Sequence, residues 1–170
     1  MRRLRFWAPV SLCLAASAVL LVAQADRKPG LYEMTSEMTW QQSPFPAGMP
    51  MPANSPFGGA PHTSQVCVTQ QMIDRYGGPL PQSRGECQVK NMNKTATGMT
   101  ADYVCTGHMN GSGKMEARWT AAGQSHSKVH FTGTMQLGQR PAPIEWTIDS
   151  TSTYKGADCG SVMPTPLPPN

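Results

Sequence analysis

Apolar and polar residues alternate along most of the chain instead of recurring every three or four positions. From Gly30 to Trp40, Tyr32, Met34, Met38 and Trp40 fall on one side, and Glu33, Thr35, Glu37 and Thr39 on the other. That is the period-two pattern of a half-buried strand. His62 to Val68 reads as another short strand. Thr69 can then cap a short helix through Met72, Ile73 and Tyr76, which Gly77-Gly78-Pro79 ends, because a threonine hydroxyl satisfies first-turn N–H groups and glycine adopts the left-handed stop. From Glu86 to Tyr154 five alternating runs are separated by turn residues at 96–98, 107–113, 122–124 and 138–143. This spacing predicts an antiparallel meander.

With each turn taken as central, Val89 faces Tyr103, Tyr103 faces Ala117, Ala117 faces Val129, Met115 faces Phe131 and Phe131 faces Ile148. One face is then apolar, with Val89, Met99, Tyr103, Met115, Trp119, Val129, Phe131, Met135, Ile144, Trp146 and Ile148. The other face sets Lys90 against Asp102, Asp102 against Arg118, Glu116 against His130 and His130 against Asp149. Such complementary cross-strand pairs contribute roughly 0.2–1 kcal/mol each. Their agreement supports the register, since a one-residue slip would reverse every side chain. The apolar face needs a cover: the strand from Gly30 to Trp40, the short helix, or the sheet curling on itself. The expected fold is mainly β (β-rich α+β), a curved antiparallel meander sheet or partly closed barrel with one short helix and two disulfides.

Composition adds the boundaries. Residues 43–61 carry six prolines and no charge, so neither helix nor sheet persists there and a Pro/Met-rich disordered loop is expected. Residues 164–170, with four prolines, read as a disordered tail. At the other end, Arg2, Arg3 and Arg5 precede an uncharged apolar stretch from Phe6 to Val22 and the small residues of Ala23-Gln24-Ala25. This is the pattern of a signal peptide cleaved after Ala25, which leaves a single domain over 26–163 and no integral membrane span. The 14 basic and 10 acidic residues give +4. Without the three leading arginines the balance is 11 against 10, which offers no footprint for a nucleic-acid backbone.

Removal of the leader also removes Cys13 and leaves Cys67, Cys87, Cys105 and Cys159. An even number in a chain sent to an oxidising compartment predicts two disulfides. No C-x-x-C pair suggests zinc or a redox couple. Of the three connectivities, Cys67 with Cys87 and Cys105 with Cys159 is slightly preferred. Its rival joins Cys87 to Cys105, which the strand register sets opposite one another, and leaves Cys67 to meet Cys159.

Candidate chemistry is sparse. His130 with Glu116 and Asp149 is the nearest approach to an acid–base group, and it reads as a solvated cross-strand cluster. His62, His108 and His126 stand in no metal-ligand spacing. Gly111-Ser112-Gly113 reads as a hairpin turn, not a nucleophile elbow. Twelve methionines, including Met49-Pro50-Met51 and Met109 after His108, raise a soft copper site, although many of them are accounted for on the apolar strand faces.

Lys28-Pro29-Gly30-Leu31-Tyr32-Glu33, Val66-Cys67-Val68-Thr69, Tyr103-Val104-Cys105-Thr106-Gly107 and Gly156-Ala157-Asp158-Cys159-Gly160 together resemble a bacterial secreted family described as domain of unknown function 3617. Tyr32 stands where tryptophan is expected, a departure that touches packing. The resemblance implies a small periplasmic or exported envelope protein and carries over no catalytic residue. The expected function is a non-enzymatic binding or interaction module without cofactor or metal, whose partner is an envelope protein. The alternatives are a carrier holding a hydrophobic small molecule on the apolar sheet face, and a methionine-based copper binder.

Overall fold

The alternating stretches become strands of one sheet in the computed structural model, which describes residues 27–46, 58–79, 86–120, 122–138, 140–164 and 167. In chain order the elements are β1 (Gly30–Gln42), β2 (His62–Val68), α1 (Gln70–Tyr76), β3 (Cys87–Lys94), β4 (Gly98–Cys105), β5 (Met109–Trp119), β6 (Gln124–Leu137) and β7 (Arg140–Gly156). The sheet is antiparallel, with strand order β2-β1-β7-β6-β5-β4-β3. The expected leader, its cleavage point and Met49-Pro50-Met51 lie outside the described residues. The helix ends are those the sequence sets: Thr69 Oγ1 accepts from the Met72 N–H at 3.2 Å, and Gly77, left-handed at φ 72°, donates its N–H to Ile73 O.

The strand from Gly30 does not lie over the sheet as a cover but joins it between β2 and β7, so curvature must bury the apolar face. Flat, the edges β2 and β3 would stand six strand spacings apart, about 29 Å. Instead, Lys94 Nζ at the end of β3 donates to Ile73 O at 3.2 Å and Asp74 O at 2.6 Å. Those carbonyls belong to α1, which begins two residues after β2. A cation at the carbonyls of a last helical turn is favourably placed. The sheet therefore curls until its edges approach through the helix, yet it is not closed, since β2 and β3 are not hydrogen-bonded neighbours.

The main core is the concave face itself. Phe131 stacks on Trp146 with ring centres 5.1 Å apart, and Tyr103 meets both edge-on at 6.2 and 6.4 Å. A smaller cluster of Tyr32, Val68 and Met72 docks α1, with Tyr154 and Leu167 against it. Pro164, in the expected tail, bridges in parallel to Cys67.

Three hairpins depart from the central-turn register. Val89 faces Tyr103, Lys90 faces Asp102 and Cys87 faces Cys105 as expected. However, Tyr103 faces Gly113 rather than Ala117, Ala117 faces Ser127 rather than Val129, Met115 faces Val129 rather than Phe131, and Phe131 faces Trp146 rather than Ile148. On the outer face Asp102 meets Lys114, Glu116 meets Lys128, and His130 meets Thr147. The cause is glycine. Gly111 and Gly113 lie inside β5, where a Cβ would come within 2.4 Å of Thr132 O and 2.0 Å of His130 O respectively. They mark close backbone approach rather than a turn. Pro141 and Pro143 similarly lie within β7, beyond the last residue paired to β1, where a missing N–H costs no ladder bond. Every slip is an even number of residues, so the faces survive.

The disulfides are Cys87–Cys105 and Cys67–Cys159. The preferred pairing of Cys67 with Cys87 fails because those residues sit on opposite edge strands, whereas Cys87 and Cys105 are direct partners across β3 and β4.

Candidate functional site

The inward face changes character along the strands. Two rows beyond the aromatic cluster the register aligns Ser36, Ser150, Ser127 and Ala117, and the next row aligns Met34, Ser152, Ser125 and Trp119. Even spacing from Val129 and Ile148 forces these serines inward. They pair with one another: Ser36 Oγ lies 2.8 Å from Ser150 Oγ, and Ser125 Oγ 2.6 Å from Ser152 Oγ.

Beside them the curl encloses a cavity of about 30 Å3, lined by Arg27, the four serines of β6 and β7, Met34, Met99, Met115, Trp119 and the turn after α1. Arg27 is the decisive residue, with only 9% of its surface exposed. Its Nη1 donates to Gly77 O, Nη2 faces Ser125 Oγ at 3.5 Å, and the guanidinium lies over the rings of Tyr32 at 5.2 Å and Trp119 at 5.7 Å. The Nε is buried and unpartnered, and among the described residues no carboxylate forms an ion pair with this arginine. Burial pulls its pKa below the ordinary value, with Tyr32 pulling the other way. An arginine nevertheless remains charged.

The two glycines after α1 make this arrangement possible. A Cβ on Gly78 would lie 2.0 Å from Arg27 Nη1, and one on Gly77 2.6 Å from the Trp119 ring. An open depression of about 400 Å3 adjoins the cavity, sharing Trp119, Ser125, Thr151 and Ser152 and adding Arg118, Gln124 and His126.

Physical chemistry limits what the cavity can hold. Its volume suits about two waters or a group of that size, far below the roughly 300–1,000 Å3 of a drug-sized ligand site. The buried positive charge repels metal cations and attracts anions. Met34, Met99 and Met115 thus line a wall whose neighbour disfavours copper.

The sequence-derived candidates lie elsewhere. His130 is not joined to Glu116 and Asp149: its Nε2 is 3.4 Å from Glu145 and its Nδ1 3.1 Å from Thr147 Oγ1, while Asp149 meets His126 and Lys128. His62 and His108 are exposed, and the four cysteines among the described residues are all in disulfides. Among the described residues no group of three or more His, Cys, Asp or Glu is placed to hold a metal. The serines were within reach of the sequence, because extending the alternation past Val129 and Ile148 places Ser125, Ser127, Ser150 and Ser152 on the apolar face. Arg27 carried no such signal.

A family model described as "Protein of unknown function (DUF3617)" matches residues 27–159. No curated protein and no solved structure matches the chain.

Proposed function

We propose, for a chain that belongs to the DUF3617 family of proteins of unknown function, an exported, non-enzymatic binding module of the bacterial envelope that takes a small ligand at the serine end of its curled sheet. Support for export comes from the basic, then apolar, then small-residue pattern over the first 25 positions. Two disulfides point to an oxidising, extracellular environment. No helix among the described residues is long and apolar enough to cross a membrane.

The observation that carries the binding reading is Arg27. A buried guanidinium with no carboxylate partner among the described residues is costly unless something compensates it, and this one lines a cavity as well as packing on Tyr32 and Trp119. The same observation favours a small polar ligand over the envelope-protein partner expected at the outset. It also disfavours a hydrophobic cargo spread over the apolar face, where Phe131 and Ile144 are fully buried by neighbouring residues. The test is intact mass, native and then denatured, on protein exported through its own leader. Mass present only in the native spectrum supports the module. A bare native mass, together with a melting temperature that no small-molecule class shifts, would sink it.

A further inference from the structure

We infer that the open depression beside the cavity is a subsite for an acidic sugar, with the carboxylate of a uronic acid on Arg118 and its ring hydroxyls on Thr151, Thr153 and Gln124. This rests on the binding-module reading, names its ligand class and places the ligand in the depression that shares Ser125 and Ser152 with the cavity. The depression holds about 400 Å3, within the roughly 300–1,000 Å3 of small-molecule sites. The strand register builds it: Arg118, His126 and Thr151 stand side by side across β5, β6 and β7, and Gln124 faces Thr153 in the next row. All five are exposed and share the outer face, since they alternate with the inward Trp119, Ser125 and Ser152.

Charge and hydrogen-bonding capacity select the ligand. Lys114 and Lys128 on the same face each meet a carboxylate. Arg118 instead stands opposite Gly98 and His126 and has no carboxylate partner among the described residues. His126 turns Nε2 to Asp149 at 3.5 Å, a carboxylate that Lys128 shares, and among the described residues no Asp or Glu lines the depression. A guanidinium across from an imidazole that can also charge is unfavourable, and an anion beside them relieves it. The fork of Arg118 matches the two oxygens of a carboxylate, and one permanent cation suits a single negative charge better than the nearly double charge of a phosphate monoester. The hydroxyls of Thr151 and Thr153 and the amide of Gln124 are bonded to no other described residue, and each both donates and accepts, as sugar hydroxyls do. Trp119 is only 7% exposed and offers no open ring for stacking, so a neutral sugar lacks the contact that the charged one gains at Arg118.

The experiment uses the exported, disulfide-bonded chain labelled with 15N and titrated with sodium glucuronate at fixed ionic strength, with glucose and glucose 6-phosphate as the comparison ligands. The expected result is a saturable shift confined to amides of β5, β6 and β7 around Arg118, His126 and Thr151, with glucose about tenfold weaker or more. Arg118→Gln, at an exposed strand position, should weaken glucuronate by about ten- to a hundredfold, the equivalent of one charge-assisted hydrogen bond. Thr151→Val, which keeps the branched shape and loses the hydroxyl, should cost several-fold. Arg140→Gln, at the other end of β7, should change nothing. Absence of a saturable shift, equal affinity for glucose, tighter binding of glucose 6-phosphate, undiminished affinity in Arg118→Gln, or an equal loss in Arg140→Gln overturns the subsite. A molecule of another class retained in the native mass spectrum would overturn the subsite and leave the binding module standing. A bare native mass, no melting-temperature shift with any small-molecule class and no glucuronate response would remove both.

Discussion

The aromatic and serine ends of the inward sheet face are made by the same strands in the same alternation, and they differ in what fills them. At the aromatic end Phe131, Trp146, Tyr103 and Ile144 close on one another with nothing polar between them. At the serine end the inward positions shrink to Ser125, Ser127, Ser150 and Ser152, and the space they release is taken by Arg27 and a cavity. Small hydroxylated residues bury little apolar surface, so this end contributes less to stability per residue than its neighbour. A sheet optimised only to fold would carry valine there. The difference teaches that one sheet face, in one alternation, is packed solid at one end and leaves a cavity at the other.

Each end has its own disulfide, which gives the strongest way to break the comparison. Cys67–Cys159 ties β2 and α1 to the segment after β7 and closes 92 residues, whereas Cys87–Cys105 closes 18 beside the aromatic cluster. On chain-entropy grounds, replacing the first pair by alanine should cost about 4–5 kcal/mol and the second about 3, read as urea midpoints. Equal losses would show that loop length does not set the difference. At the aromatic end, Phe131→Ala should cost about 4 kcal/mol, since the ring is fully buried and its removal leaves a cavity. No equivalent loss is available among the serines.

Legibility in the sequence followed the same division. The cap at Thr69, the stop at Gly77, the strand from His62 to Val68 and the opposition of Cys87 to Cys105 were readable because each depends on neighbours in the chain or on one short hairpin. The longer hairpins slipped because Gly111 and Gly113 resemble turn residues while lying inside β5, in close approach to the backbone of β6. The serine end was half readable, since alternation fixes a side chain's face but not what stands opposite it. Arg27 was not readable. Its burial depends on α1, β1, β5 and β6 converging across the curl, and no local pattern encodes that.

A finer cut separates the serines from their surroundings. Ser152→Ala leaves Ser125 Oγ, 2.6 Å from the lost partner, facing only the long contact to Arg27, so a cost of about 1 kcal/mol is expected for the stranded hydroxyl. Changing both serines to alanine removes donor and acceptor together and should cost less than the sum of the single changes. A double-mutant cycle in urea measures that coupling. Additive losses would mean that the hydroxyls are satisfied separately, and the serine end would then look less like a prepared site.

The smallest effect concerns the charges, which contrast with Arg27 by being paired and on the outer face. Hydrogen bonds from Lys114 and then Asn91 hold the Asp102 carboxyl below its ordinary range. A carboxylate with a depressed folded pKa adds stability above its unfolded value, 3.8, and loses it as pH falls through the lower folded value. Asp102→Asn should therefore be slightly less stable than the native chain at neutral pH, with the two curves converging below about pH 4. The gap should also narrow in high salt, because an exposed pair is screened. Arg27→Met should show neither behaviour. Its charge is shielded from solvent and has no carboxylate partner among the described residues, so exchanging it for an apolar side chain should leave the melting temperature nearly unchanged or raised, with no inflection at acid pH. A salt-insensitive, pH-flat response at Arg27 beside a salt-sensitive, acid-sensitive one at Asp102 would separate a charge kept for a ligand from one that supports the strand register.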